Sequence, residues 1–187
     1  MELFLLEGGP AFSPFRLESL TQDIFARAPA LVGAELQATW LYLLELAGPL
    51  DAVTEERTRA LLNAHAPAGS DGPSGGFYVT PRKGTISPWS SKATDIFHNC
   101  GLSAVRRVER GVQVVVRDAE GRPVKAATLG AALEALYDRM TEGVYEDLSD
   151  FFAHRPPAPG IVYDVQTRGL EALVEAHQRH GLALTDE

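Results

Sequence analysis

The stretch Glu35–Leu46 constrains this chain most. Leu36, Ala38, Trp40, Tyr42, Leu44 and Leu46 alternate with Glu35, Gln37, Thr39 and Glu45. Period-two alternation over that length marks a long, half-buried strand. Leu41 and Leu43 break the polar side. Part of the second face is therefore expected to be covered too.

The rest of the pattern mixes strands and helices. Leu3–Leu6 is a short strand ended by Gly8-Gly9-Pro10. Ser13 and Pro14 start a helix with Leu17, Leu20, Ile24 and Phe25 on one face, and Pro29 closes it. Gly48–Asp51 is a turn, and Thr54 caps a short helix with Glu55 and Glu56 in its first turn. Ala66–Gly76 is rich in Pro, Gly and Ser and reads as a loop, with Phe77–Val79 a strand after it. Ser87 caps a helix opened by Pro88, which buries Ile96 and Phe97 and ends at Gly101. Val105–Val116 reads as two strands broken at Arg110-Gly111. Thr128 opens a helix striped by Leu129, Leu133, Leu136 and Met140. Arg155–Gly160 is a stiff, Pro-rich linker, and Thr167–His180 is one more amphipathic helix.

This order is α+β, with two similar halves before the linker. With 45% hydrophobic residues the chain of 187 can bury a real core. Its net charge of −8 argues against a general nucleic-acid binder. One cysteine allows no internal disulfide and suits a reducing cytosol. No apolar run approaches membrane-spanning length, and the acidic start Met1–Glu7 is unlike a signal peptide.

Chemistry concentrates in Thr80–Thr94. There Arg82, Lys83 and Lys92 sit among Thr85, Ser87, Ser90, Ser91 and Thr94, with Trp89 beside the helix start. Hydroxyls and cations around a helix N-terminus suit an anion. A large flat Trp suits a protein contact. Three readings follow: docking onto another domain, contact with a phosphate, or a solvated turn. Docking is preferred, because phosphate sites gather backbone N–H groups at Gly and only Gly84 is at hand. The candidate surface is Arg82, Thr85, Ser87, Trp89, Ser90, Ser91, Lys92 and Thr94.

Other features invite chemistry less. Cys100 shares a helical face with Ile96 and Phe97 and is expected to be a buried, inert hydrophobe. His65, His98, His154, His177 and His180 have no metal-ligand spacing. His98 is expected to hydrogen-bond a neighbouring loop. Gly8-Gly9 and Gly72-Pro73-Ser74-Gly75-Gly76 fit no nucleotide motif. No catalytic residue, metal ligand or cofactor site is assigned.

The run Thr80–Leu102, with Ile96-Phe97-His98-Asn99-Cys100-Gly101 at its end, resembles the N-terminal domain of phosphoribosylformylglycinamidine synthase in its long, single-chain form. Leu6–Ser13, Val108-Glu109-Arg110-Gly111-Val112, Arg168-Gly169-Leu170 and Gly181–Leu184 fit the same pattern in order. The resemblance implies two ferredoxin-like halves fused as a pseudo-dimer over residues 1–149. Residues 150–187 would follow as a Pro-rich linker and helix opening a linker domain. It implies a cytoplasmic ligase that uses ATP, magnesium and glutamine to make an amidine of formylglycinamide ribonucleotide. The catalytic groups would lie beyond Glu187, and this part would be an inactive fragment bracing the synthetase and glutaminase domains. The rival is a free-standing regulatory domain that binds a phosphorylated metabolite.

Overall fold

The computed structural model describes residues 2–67, 76–153 and 159–185. They fall into two compact units, Met1–His154 and Arg155–Glu187. Of the expected 66–76 loop, Ala66–Pro67 form a short strand and residues 68–75 lie outside the described residues, as do His154 and linker residues 155–158.

In the first unit, strand β1 (Glu2–Pro10) leads to helix α1 (Pro14–Arg27) and strand β2 (Glu35–Leu46). Helix α2 (Ala52–Leu62) and the two-residue strand β3 (Ala66–Pro67) complete this half. The second half repeats the order. Strand β4 (Phe77–Pro81), helix α3 (Pro88–Asn99) and strand β5 (Val105–Arg117) are followed by a helical turn α4 (Ala126–Leu129), a 3-10 stretch Gly130–Ala135 and strand β6 (Glu142–Tyr145). The sheet runs β3-β1-β2-β5-β4-β6 and every pairing in it is antiparallel. The order is a palindrome about the long β2·β5 pair, with Leu41 opposite Gly111 near its centre.

The alternation in β2 sorts the core. Leu36 and Ala38 pack with Leu20 and Ile24 of α1 and with Phe77, Val79, Val112 and Val114. Further along the same face, Leu44 and Leu46 pack with Phe97 of α3 and Leu62 of α2. Leu41 and Leu43 point the other way and are covered by Leu148 and Phe151. The second face is thus covered as the sequence implied. The first unit includes Phe151, past the expected boundary at residue 149.

Five local expectations are corrected. Gly8-Gly9-Pro10 do not end the first strand, which runs on to Pro10 through an irregularity after Glu7. Residues 105–117 form one continuous strand, not two. Gly111 makes no turn; an added Cβ would meet Thr80 Cγ2 at 2.5 Å and the Val79 carbonyl at 2.8 Å. Glycine serves there because the neighbouring strand approaches so closely. The helix expected from Thr128 to Met140 stops at Leu129, because Gly130 adopts φ 54°, ψ −127°. Helix α2 is capped by Asp51, whose carboxylate accepts from the Thr54 N–H at 2.8 Å, and not by Thr54. Cys100 is exposed. The buried stripe of α3 runs through Ser90 and Phe97, which leaves Ile96 44% exposed and Cys100 off the core side.

The second unit, taken alone, holds helices α5 (Val165–Arg168) and α6 (Leu170–His180), broken at Gly169 with φ 56°. Tyr163 Oη and His180 Nε2 lie 2.9 Å apart, and Arg168 pairs with Glu175 at 2.8 Å. No helix among the described residues is long and apolar enough to cross a membrane.

Candidate functional site

The site begins with an incomplete strand edge. β4 pairs with β5 only from Val112 to Val114, so the N-terminal part of β5 has no strand on that side among the described residues. Exposed edge groups need partners. Helix α3 supplies them from one stripe, Ser90, Thr94 and His98, spaced four residues apart. The Ser90 hydroxyl donates to the Val108 carbonyl at 2.6 Å, and the Val108 N–H donates to Thr94 Oγ1 at 3.1 Å. His98 Nε2 lies 3.0 Å from the Val105 carbonyl. Side chains of a helix stand where a seventh strand's backbone would.

Glu109 completes this arrangement. It is fully buried, and it accepts from the Ser87 hydroxyl at 2.6 Å, the Ser87 N–H at 3.2 Å and the Arg110 N–H at 3.0 Å. Arg107 pairs with it at 3.1 Å and also donates to the Thr85 carbonyl at 2.6 Å. A buried carboxylate needs such a set of donors. Its position matters for function: the anion beside the α3 start is the protein's own Glu109.

Beside this lattice an open groove of about 830 Å³ lies on the helical face of the sheet. Trp40, Val79 and Val112 floor it; Phe12 and Arg16 stand on one side, and Arg82 with Thr85 to Trp89 on another. Ala135–Asp138 and Met140–Glu142 close a third side. Ile86 and Met140, 64% and 79% exposed, line it as well. Arg110 lies in the groove with its guanidinium 4.2 Å from the centre of the Trp40 ring and 4.9 Å from that of Trp89. Trp89 in turn stacks on Tyr42 at 6.1 Å. Burial pushes the Tyr42 hydroxyl up from its usual range, and the Arg110 charge opposes that rise.

The candidate residues therefore divide. Arg82, Thr85, Ser87 and Trp89 line the groove. Ser90 is wholly buried and Thr94 is bound to the β5 edge, so both act within the domain. Ser91 and Lys92 are exposed on α3 and do not line the groove. Arg82 donates to the Arg139 carbonyl, tying the loop to the 138–142 wall. Lys83 pairs with Asp150, donates to the Asp147 carbonyl at 2.9 Å and lies 4.7 Å over the Tyr145 ring. It pins the segment that covers the second face. Trp40, Glu109 and Arg110 escaped sequence reasoning. The alternation assigned Trp40 to a buried face, but only the β2·β5 register brings it to Arg110. No group of three or more His, Cys, Asp or Glu residues among the described residues could hold a metal ion.

Fold and groove together define an α+β domain of two like halves, with an open, arginine-bearing cleft fed by both. Residues 39–153, more than half the chain, match the family described as formylglycinamide ribonucleotide amidotransferase N-terminal. The chain belongs to that family. The matched span contains β2 from Thr39 on, all of α3 and β5, and most of the groove.

Proposed function

We propose that this chain is a non-catalytic module of the purine-biosynthesis ligase that converts formylglycinamide ribonucleotide to the amidine. Its work is to brace the synthetase and glutaminase domains against each other. Those domains would hold ATP and magnesium and release ammonia from glutamine, in the cytoplasm. The second unit, from Arg155 on, would open the linker domain. The reading extends to ancestry: two ferredoxin-like units fused as a pseudo-dimer. The palindromic sheet order supports the fusion, although each half runs β-α-β-α-β and not β-α-β-β-α-β.

The carrying observation is the groove's rim. Ile86 and Met140 stand in water beside a wall held by Arg82, Thr85 and Arg107 hydrogen bonds. Apolar side chains on a shape-fixed rim bind with little ordering cost. The rival reading, a sensor of a phosphorylated metabolite, would use the start of α3 for phosphate. Glu109 bonded to Ser87 opposes a second anion there.

The test supplies this chain as a separate polypeptide to the synthetase–glutaminase part of an enzyme of this family. Complex formation and amidine production are measured. Ile86→Asp and Met140→Asp should weaken the complex and lower turnover without changing the melting temperature. Full turnover with both variants would overturn the proposal.

A further inference from the structure

We infer that the groove receives a carboxylate-bearing segment of another domain, an Asp or Glu flanked by apolar residues, with Arg110 as its anchor. This rests on the docking reading above and gives that partner its chemistry.

Most charged groups of the groove already have partners within the domain. Three carboxylates line it: Glu109, Asp138 and Glu142. Glu109 has its four donors. Asp138 accepts from the Met140 N–H at 2.8 Å and the Thr141 hydroxyl at 2.9 Å. Those bonds, with the Arg82 charge, hold its carboxyl below the usual range. Glu142 accepts from the Asp138 N–H at 2.8 Å. Among the cations, Arg82 is spent on the Arg139 carbonyl. Arg16 and Arg110 make no side-chain hydrogen bond or ion pair among the described residues. The acids are closed within the domain, and two arginines are not, in a chain whose net charge is −8.

Arg110 is also oriented. Its guanidinium carbon lies within 5 Å of the Trp40 and Trp89 ring centres, contacts that hold the cation while its N–H groups find no acceptor among the described residues. A guanidinium edge matches a carboxylate in bidentate fashion. These two ring contacts remove much of the rotamer freedom that an exposed arginine would lose on binding. Ile86 and Met140 add apolar contacts on the rim, which a small anion would leave in water and a peptide segment would cover. Charge complementarity and rim together select an acidic residue with apolar neighbours over a free ion.

The experiment again uses this chain with the synthetase–glutaminase polypeptide of a family member. Affinity is measured for wild type, Arg110→Gln and Arg110→Lys, with melting curves as the fold control. Loss of one bidentate charged bond should weaken binding roughly tenfold to a hundredfold for Arg110→Gln, with Arg110→Lys between. In the Arg110→Lys complex, a carbodiimide should join the new amine to an Asp or Glu of the partner, located by mass spectrometry. If Arg110→Gln is poorly folded, the Arg110→Lys affinity and its cross-link decide. Wild-type affinity in Arg110→Gln, or absence of that cross-link in a formed complex, overturns this inference and leaves the docking reading standing. Saturable binding of inorganic phosphate that depends on Arg110, with domain affinity unchanged, also overturns it. No complex with wild type overturns both.

Discussion

Ser90→Ala is the sharpest test of the α3–β5 arrangement. The wild-type hydroxyl donates to the Val108 carbonyl at 2.6 Å and accepts from Arg107 Nε at 3.2 Å, with Ser90 fully buried. Removing it leaves a strand-edge carbonyl without its donor and costs Arg107 one of its bonds. A buried polar group left unpaired costs about 1–3 kcal/mol. The gain in helix propensity from Ser to Ala offsets a few tenths of that, on the order of 0.5 kcal/mol. For a chain of this size the melting temperature should fall by roughly 2–4 °C per kcal/mol, so the net loss is several degrees. Ser91→Ala is the control. Its residue is exposed, its bond to the Ser87 carbonyl is long at 3.5 Å, and the change should stay within about 0.5 kcal/mol. Urea midpoints at constant slope give both numbers. Hydrogen exchange adds a local readout: Thr94→Val should speed exchange of the Val108 amide, whose acceptor it removes. Equal midpoints for Ser90→Ala and Ser91→Ala would refute the edge-completion argument.

Three further outcomes are expected. Gly111→Ala forces its methyl against Thr80 Cγ2 and the Val79 carbonyl, and a backbone oxygen yields little; the cost should be about 1–3 kcal/mol, read from denaturation, and a neutral result would mean that β4 moves freely. Cys100 should react fully with a thiol reagent in the native protein, without denaturant, because it is exposed; labelling only on unfolding would contradict its placement. Asp51 has its pKa lowered from 3.8 chiefly by the Thr54 N–H and hydroxyl, so its contribution is whole above that value and disappears as pH falls through the lower folded value. Asp51→Asn keeps the cap but does not titrate, so acid unfolding below about pH 4 should become less steep; an unchanged acid limb would remove Asp51 from the account.

Sequence reasoning reached what local pattern controls. The β2 alternation, the covering of Leu41 and Leu43, and the Ser13 and Ser87 caps were all legible. It failed where distant segments decide. Arg110-Gly111 looks like a turn dipeptide, yet Gly111 is set by Thr80 on another strand. Leu129, Leu133 and Leu136 have helical spacing, yet the backbone at Gly130 ends the α-helix. Cys100 shares a spacing with Phe97, but α3 turns its hydroxyl stripe, and not the Ile96–Cys100 side, toward β5. The hydroxyls read as a contact surface are in part substitutes for a missing strand. Nothing local to Ser90 announces that its partner is Val108.

The groove follows from the same architecture. Helix α1 packs on one cluster and α3 on another, and the sheet's centre falls between them. There the register places Tyr42 opposite Arg110 and Trp40 opposite Val112. Something flat must cover that floor, since neither helix does. Trp40 and the Arg110 stem can do so, because arginine buries its methylenes and face while its edge stays wet. Yet packing alone asks only for a long or planar group at position 110; leucine or methionine would shield the sheet without a charge to hydrate. The positive charge, placed 4.2 Å over one Trp and 4.9 Å from another, is surplus to packing. Meanwhile Arg107, three residues earlier on β5, spends its charge on Glu109 inside the domain. The two arginines divide the work of one strand: Arg107 closes its edge, and Arg110 keeps an open bond for a partner.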